Sequence, residues 1–403
     1  MKKFYFCFLL AVSSITVCYS QSWTLMDSTF SQSLDDMEFY DANTGLLSIG
    51  YVLYKTTDGA VTWDSVFTSA SEIMTVSWLN STTAFTGAMS GAINRSLDGG
   101  EYWAWVARPT TDVRHMDFYG NLNGIVVGDW CYIAYTTDGG ATWTKLTTKP
   151  SGNDKLLYVE MVTDQCAFAC GRFGAFIKST DGGKTWTKKT SPSGSDDINH
   201  ISFLDSLNGF AITGKKLFKT TDGGTTWTDL TANVNAGTNA DFGAVIYIAS
   251  DLIYAGARMN NSKIFKSTDG GTTWTVEFTH PQTVTSVSRF SYAGGTLYAM
   301  FDGGGDGKKI AKAVVNGGTS INEAKIQNIT LYPNPADHEI HFAGLNETAD
   351  YTAYIYDITG KLIREQKLTN SDINVSSFIN GQYIIKLENN SGAAAYKMFI
   401  VNH

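Results

Sequence analysis

The sequence predicts an all-β fold. A seven-bladed β-propeller over residues 21–320, its last blade closed by the N-terminal strand, is followed by a linker at 321–328 and a small C-terminal β-sandwich at 329–403. Three observations predict it. First, an octapeptide close to S/T-x-D-G-G-x-T-W occurs six times, at Thr56–Trp63, Ser96–Trp103, Thr136–Trp143, Ser179–Trp186, Thr220–Trp227 and Ser267–Trp274. Second, its aspartates Asp58, Asp98, Asp138, Asp181, Asp222 and Asp269 stand 40, 40, 43, 41 and 47 residues apart. A period near 40 with strand-like content marks one four-stranded blade per repeat. Third, the period stops near residue 320 and the composition changes.

Residues 1–20, MKKFYFCFLLAVSSITVCYS, combine two lysines, an apolar run and small residues before Gln21. They read as a secretory leader cut near Ser20. Cys18 raises a lipoprotein alternative, but Val17 is large where a lipid-acceptor site wants a small residue. No later run approaches the roughly 20 apolar residues of a membrane span.

Each repeat has one plan. An alternating run comes first ("MEFYD" at 37–41, "MDFYG" at 116–120, "ISFLD" at 201–205). A short strand ending in glycine comes next (Gly50, Gly87, Gly128, Gly171, Gly214, Gly256), then a strand into the box and one leaving it. Six units are complete. A seventh starts at "TVTSVSRFSYAGGTLYAMF" (283–301) and ends in "NGGTS" (316–320), which lacks the tryptophan. Its missing outer strand is supplied by "SWTLMD" (22–27), where Trp23 takes the box tryptophan's place. Such closure leaves no open sheet edge.

The box has a structural explanation. Its aspartate can accept backbone N–H bonds of the turn, and its glycines take the positive φ a tight hairpin requires. Trp63, Trp103, Trp143, Trp186, Trp227 and Trp274 are plates suited to the gap between blades. Ala60 replaces a box glycine and Tyr102 a threonine, losses that a fold tolerates. In the tail, "LYPNPADHEIHF" (331–342), "YIYDITGKLIRE" (354–365) and "NGQYIIKLENN" (380–390) alternate like sandwich strands and hold no evident chemistry.

The net charge of −8 falls to −10 without the leader lysines Lys2 and Lys3, which argues against nucleic acid or an anionic membrane as partner. Beyond the leader, Cys131, Cys166 and Cys170 match no zinc spacing; they are either small buried residues or one disulfide with a residue left over. No cofactor or metal is expected. "FDGGGDGKK" (301–309) lacks the ligand spacing and closing glutamate of a calcium loop and reads as a hairpin.

The boxes resemble the Asp-box, or BNR, repeats of sialidase-like propellers. The pattern F-x-D-x-x-x-G-x-x-x-G ahead of each box is more similar to propellers of the photosystem II assembly and stability factor type. This resemblance covers about 21–320 and implies the fold; such propellers include enzymes, receptors and assembly factors. The three tail motifs, in this order over 325–403, resemble the sorting domain of type IX secretion substrates. That resemblance implies partnership with the secretion machinery, passage across the outer membrane, and release or cell-surface attachment.

If four strands run outward from the axis, second-to-third turns and blade-to-blade loops share one face, where propellers usually bind ligands. That face carries Asp129 and Trp130, Arg172 and Phe173, Lys215 and Lys216, Arg258 and Met259, with Arg108 and Arg114 nearby. Four of the seven arginines fall there. A cationic, aromatic-studded mouth suits a carboxylated glycan or an acidic peptide; solvated loop residues are the plain alternative. Asp36, Glu38, His115, Asp117, Glu160, His200 and Arg289 alternate on inner strands and should line the channel. They could hold a metal or do acid–base work, although channel walls are ordinarily polar and hydrated.

Three functions are compatible with these features: a secreted non-catalytic propeller binding a protein, peptide or glycan; a glycoside hydrolase; or an assembly factor for a surface complex. A sialidase needs an arginine triad with an Arg-Ile-Pro motif ahead of the first box. No arginine precedes Arg95, and Arg108-Pro109 lacks the isoleucine. Larger xyloglucan-cleaving enzymes with such boxes use two propellers, and this chain has one.

Overall fold

The computed structural model describes residues 23–26, 30, 32–152, 154–234, 241–258, 263–281, 285–303, 308–315, 330–343, 345, 351–357, 362–368, 372–389 and 394–403. The expected leader at 1–20 and the expected linker at 321–328 lie outside the described residues. Two compact units account for the chain, one made of most residues up to Asn316 and the other containing Gly317–His403.

The first unit is the expected propeller of seven four-stranded sheets. Blade I runs outward through Asp36–Phe39, Gly45–Ile49, Val52–Thr56 and Asp64–Thr68. Blades II to VI repeat that order from the inner strands Ile73–Trp78, Val113–Tyr119, Leu156–Met161, Ile198–Phe203 and Asp241–Ala249. Blade VII consists of Thr285–Ala293, Thr296–Gly303 and Lys309–Val314, and its fourth strand is Thr24–Leu25. Thr24 pairs with Lys312 and Leu25 with Ala311, antiparallel, so the N-terminal strand closes the ring as expected.

Tryptophans fill the seams between blades. Trp103 meets Phe67 of blade I at 6.0 Å, and Trp143 meets Phe85 of blade II at 6.2 Å. Trp227 meets Phe176 of blade IV at 5.4 Å. Trp23 does the same for blade VII, lying 5.8 Å from Phe278 of blade VI. Across the closing seam Phe39 stacks on Tyr298 at 3.5 Å. Cys131, Cys166 and Cys170 are buried and unpaired, packed as small apolar residues rather than bridged.

Each inner strand is its sheet's open edge, with N–H groups that have no strand to bond. In blades I, II, IV and V a side chain of the preceding blade accepts one of them. Asp36 takes the Val76 N–H at 3.1 Å, Asp117 takes Met161 at 2.6 Å and Glu160 takes Phe203 at 2.9 Å. Ser291 of blade VII takes Phe39 of blade I at 2.8 Å, which carries the same device across the seam. A register shift recurs in the inner strands of blades II, III, IV, V and VII, just before Thr75, His115, Tyr158, His200 and Arg289. The bulge turns these side chains toward the axis beside the acceptors two residues on.

The second unit is a two-sheet sandwich. One sheet orders Thr330–Tyr332, Glu339–Ala343 and Asp372–Asn374; the other orders Leu362–Leu368, Tyr351–Asp357, Gly381–Asn389 and Ala394–Val401. Alternating residues meet in its core, among them Ile340, Phe342, Ile355, Ile373, Ile385, Leu387 and Phe399.

The ring makes two predictions. Trp23→Ala removes the plate that the N-terminal strand sets between blades VI and VII and should cost about 3 kcal/mol, as other large truncations do; an unchanged melting temperature would contradict the closure. The second concerns buried charge. Burial raises the Asp117 carboxyl from 3.8 to about 6, so the folded state holds this proton more tightly than the unfolded chain. Its contribution is present below about pH 4 and is lost as pH rises through 6. Burial lowers His115 from 6.5 to about 4, an opposing contribution that is lost as pH falls. Asp117→Asn removes the first and also the charge that helps raise Glu38 and Glu160, which acts in the same direction. Its stability relative to wild type should climb between pH 3.5 and 7.5, by about 3 kcal/mol for a shift of about two pKa units. A difference independent of pH would refute the assignment.

Candidate functional site

The face predicted to bind is built from the second-to-third turns and the loops that enter each inner strand. In blades II, III and IV these turns share one shape, Met89–Gly91, Asp129–Cys131 and Arg172–Gly174. The middle residue is left-handed each time: Ser90 at φ +71°, Trp130 at +58° and Phe173 at +54°. In blades II and IV crowding at the third residue forces the shape, whereas blade III holds Cys131 there at φ +53°. At Gly174 an added Cβ would lie 2.0 Å from the Gly194 carbonyl oxygen, and at Gly91 2.1 Å from that of Pro109.

Acids at the ends of the incoming loops hold these turns. Asp112 accepts the Ser90 N–H at 3.0 Å, Asp197 accepts that of Phe173 at 2.9 Å, and Asp35 accepts that of Gly50 at 2.6 Å. The turns present their side chains to solvent. Trp130 is 63% exposed, Phe173 69%, and Tyr51 in the matching turn of blade I 50%. A bulky residue at positive φ costs about 1 kcal/mol or more, and here two are held there with their rings in water.

The predicted cations divide. Arg114 is not free: its guanidinium bonds Asp129 at 2.7 Å and Asp112 at 3.0 Å. Asp129 is buried, and Lys155 bonds its other oxygen. The hydrogen bonds and charges of Arg114 and Lys155 outweigh burial and hold the Asp129 carboxyl below its usual value. This pair braces blade III against the incoming loop of blade IV. Arg108 and Lys215 are exposed. Arg172 is half exposed, with Asp197 at 3.9 Å. Lys216 faces Asp229 at 3.7 Å. Arg258 ends the strand Leu252–Arg258, and Met259 lies outside the described residues.

The boxes are self-contained. In all six the first Ser or Thr hydroxyl donates to the aspartate and accepts the N–H four residues on at 2.8–3.1 Å. The aspartate accepts the seventh residue's N–H at 2.8–3.0 Å. In five boxes it also accepts that residue's hydroxyl at 2.6 Å; Tyr102 has none to give at that position. Bonds from the Thr226 hydroxyl and N–H bring Asp222 down to about 2. Ala60 takes φ +69° where the other boxes place glycine.

The channel holds a cavity of about 210 Å³ lined by Asp36, Glu38, His115, Asp117, Tyr158, Glu160 and Arg289. His200 stands behind it. Tyr158 lies between two imidazoles, 3.9 Å from His115 and 4.0 Å from His200, and Arg289 bonds Asp36 at 3.0 Å. Burial, then the Asp117 charge, raises Glu38 and Glu160, and burial keeps both imidazoles neutral.

The sequence reading missed Tyr51, Tyr158 and the loop acids Asp35, Asp112 and Asp197. Each left a signal. Tyr158 precedes Glu160 by two in the alternating run, Tyr51 comes directly after the strand-ending Gly50, and an acid recurs just ahead of the inner strands.

Residues 99–191 match the family model of the photosynthesis system II assembly factor YCF48, and residues 330–402 match that of the secretion system C-terminal sorting domain. No curated protein matches the chain. Among solved structures, YCF48 bound to D1 peptide is similar with a TM-score of 0.60 and 16% identity, over 74% of this chain and 97% of that one. YCF48 from Cyanidioschyzon merolae gives 0.56 and 18%, over 72% and 98%. The GH74 xyloglucanase from Xanthomonas campestris gives 0.57 and 11%, over 94% and 69%. At such identities the likeness speaks of fold. Among the described residues no helix is long and apolar enough to cross a membrane. The chain is a β-propeller with repeats like those of the YCF48 assembly factors, and its type IX sorting tail supports export to the cell surface or secretion.

Proposed function

We propose that the propeller is an exported, non-catalytic binding module that takes an acidic peptide segment of a protein partner on the face of the second-to-third turns. One observation carries the reading: Trp130 and Phe173 are kept in left-handed backbone at equivalent turns of adjacent blades, with both rings exposed. Strain persists where the surroundings over-determine it, and it clusters at binding sites. Flat aromatics supply contact area at low entropic cost, and Arg108, Arg172 and Lys215 supply charge that a carboxylate can answer. YCF48, a propeller of the same fold, has been solved with a peptide bound. The sorting tail delivers the module to its partner outside the cell, attached or released.

The test separates stability from binding. Trp130→Gly with Phe173→Gly relaxes both turns, so the melting temperature should hold or rise. Retention on an array of Asp- and Glu-rich peptides should fall at least about tenfold, the loss of one or two anchor residues. Undiminished retention would overturn the reading, and a carboxylated glycan captured in place of the peptides would reassign the ligand.

A glycosidase reading has one observation in its favour: Asp117 and Glu160 share the channel cavity, both with raised pKa. Their oxygens already accept the Met161 and Phe203 N–H groups, and about 210 Å³ is below the usual size of a ligand pocket, about 300 Å³ or more. Purified chain should leave xyloglucan oligosaccharides and fluorogenic sialosides intact; steady release of product would restore the enzyme.

A further inference from the structure

Half of the six histidines stand in the tail, at His338, His341 and His403. Two of them meet. In the sandwich the segment around Ala336 is stitched to the closing strand: the Ala336 N–H donates to Ile400 at 2.7 Å, and the Asn402 N–H donates to Ala336 at 2.9 Å. The His403 N–H donates to Asn380 at 2.9 Å, and the His338 carbonyl accepts the Val375 N–H at 2.8 Å. Backbone on both sides is therefore fixed.

Between these anchors, one oxygen of Asp337 lies 3.2 Å from His403 Nδ1 and the other 3.4 Å from His338 Nε2. The three groups offer ligand atoms that all lie within 4.8 Å of one another. One contact determines the tautomer. His403 Nε2 is 2.9 Å from the Phe378 carbonyl, which can only accept, so Nε2 carries hydrogen. In the neutral ring the Nδ1 lone pair then faces a carboxylate, an arrangement that needs a proton or a cation between the two. An imidazole that donates one nitrogen to a backbone carbonyl while the other faces a shared point is the usual support of a metal ligand.

We propose that Asp337, His338 and His403 form a divalent transition-metal site, suited to zinc, with its fourth position open to solvent. Bonds of about 2.0–2.1 Å in a tetrahedron set neighbouring ligand atoms roughly 3.4 Å apart, so three ligand atoms within 4.8 Å of one another close on an ion by small side-chain rotations. Two imidazoles and one carboxylate suit zinc better than calcium or magnesium, which want oxygen. His338 is 74% exposed, so an ion arrives without any opening of the fold. Bound there, it clips the last residues of the sandwich to the segment just after its first strand. Protons compete with the ion for the imidazole nitrogens of His338 and His403, so binding weakens as pH falls.

The experiment titrates zinc into tag-free full-length chain, stripped with a chelator and dialysed, with calorimetry and metal analysis as readouts. One ion per chain is expected, held more weakly at pH 5.5 than at pH 7.5. His338→Gln and His403→Gln should each weaken binding at least about tenfold. His341→Gln is the control, because His341 pairs with Asp372 at 2.7 Å on a neighbouring strand and should leave the isotherm unchanged. If His403→Gln unfolds the sandwich, the exposed His338→Gln still decides. Absence of zinc binding, equal loss in His341→Gln, unchanged binding in His338→Gln, or calcium binding as tight as zinc would each overturn the site.

Discussion

A ring of sheets must satisfy the inner edge of every sheet, and this requirement organises the propeller. The edge N–H groups of one blade are accepted by Asp36, Asp117, Glu160 and Ser291 of the blade before it. Buried carboxylates are costly and are kept where several hydrogen bonds offset that cost. The polar lining that invites a catalytic reading is therefore taken up in joining blades. The outer boxes obey the same rule on a smaller scale: a hydrogen-bonded turn, complete in itself, repeated at each corner.

With much of the channel and the corners occupied by their own bonding, the second-to-third turns are where large side chains stand exposed. Here the packing runs against local preference. An aromatic residue in a left-handed turn is a poor choice for folding, yet blades III and IV both make it, and in blade IV Asp197 secures the backbone beneath. Blade II places Ser90 in the same conformation and blade V an exposed lysine, so the rim is uneven around the ring.

Much of the fold was legible because its causes repeat. Six boxes at a near-constant interval marked out the blades, and "SWTLMD" announced the closing strand by copying the strand that leaves a box. Alternation placed Asp36, Asp117 and Glu160 at the axis, since period two is the physics of a strand. The features that escaped had causes that the side-chain pattern does not print. The bulges ahead of His115 and Arg289 depend on pairing register, although alternation already placed both residues at the channel, and the capture of Arg114 by Asp129 depends on a loop returning beside a strand. The pairing of His338 with His403 spans most of the tail, and its cause is a short parallel bridge between Ala336 and Val401.

The seam of blade VII bears on how the chain is made. Thr24 meets Lys312, so the segment synthesised earlier waits for one that appears about three hundred residues later. No partial length of chain can complete the circle, and contacts so distant in sequence form slowly. Ring closure therefore waits until the chain is available through about Val314, whichever blades have formed before it.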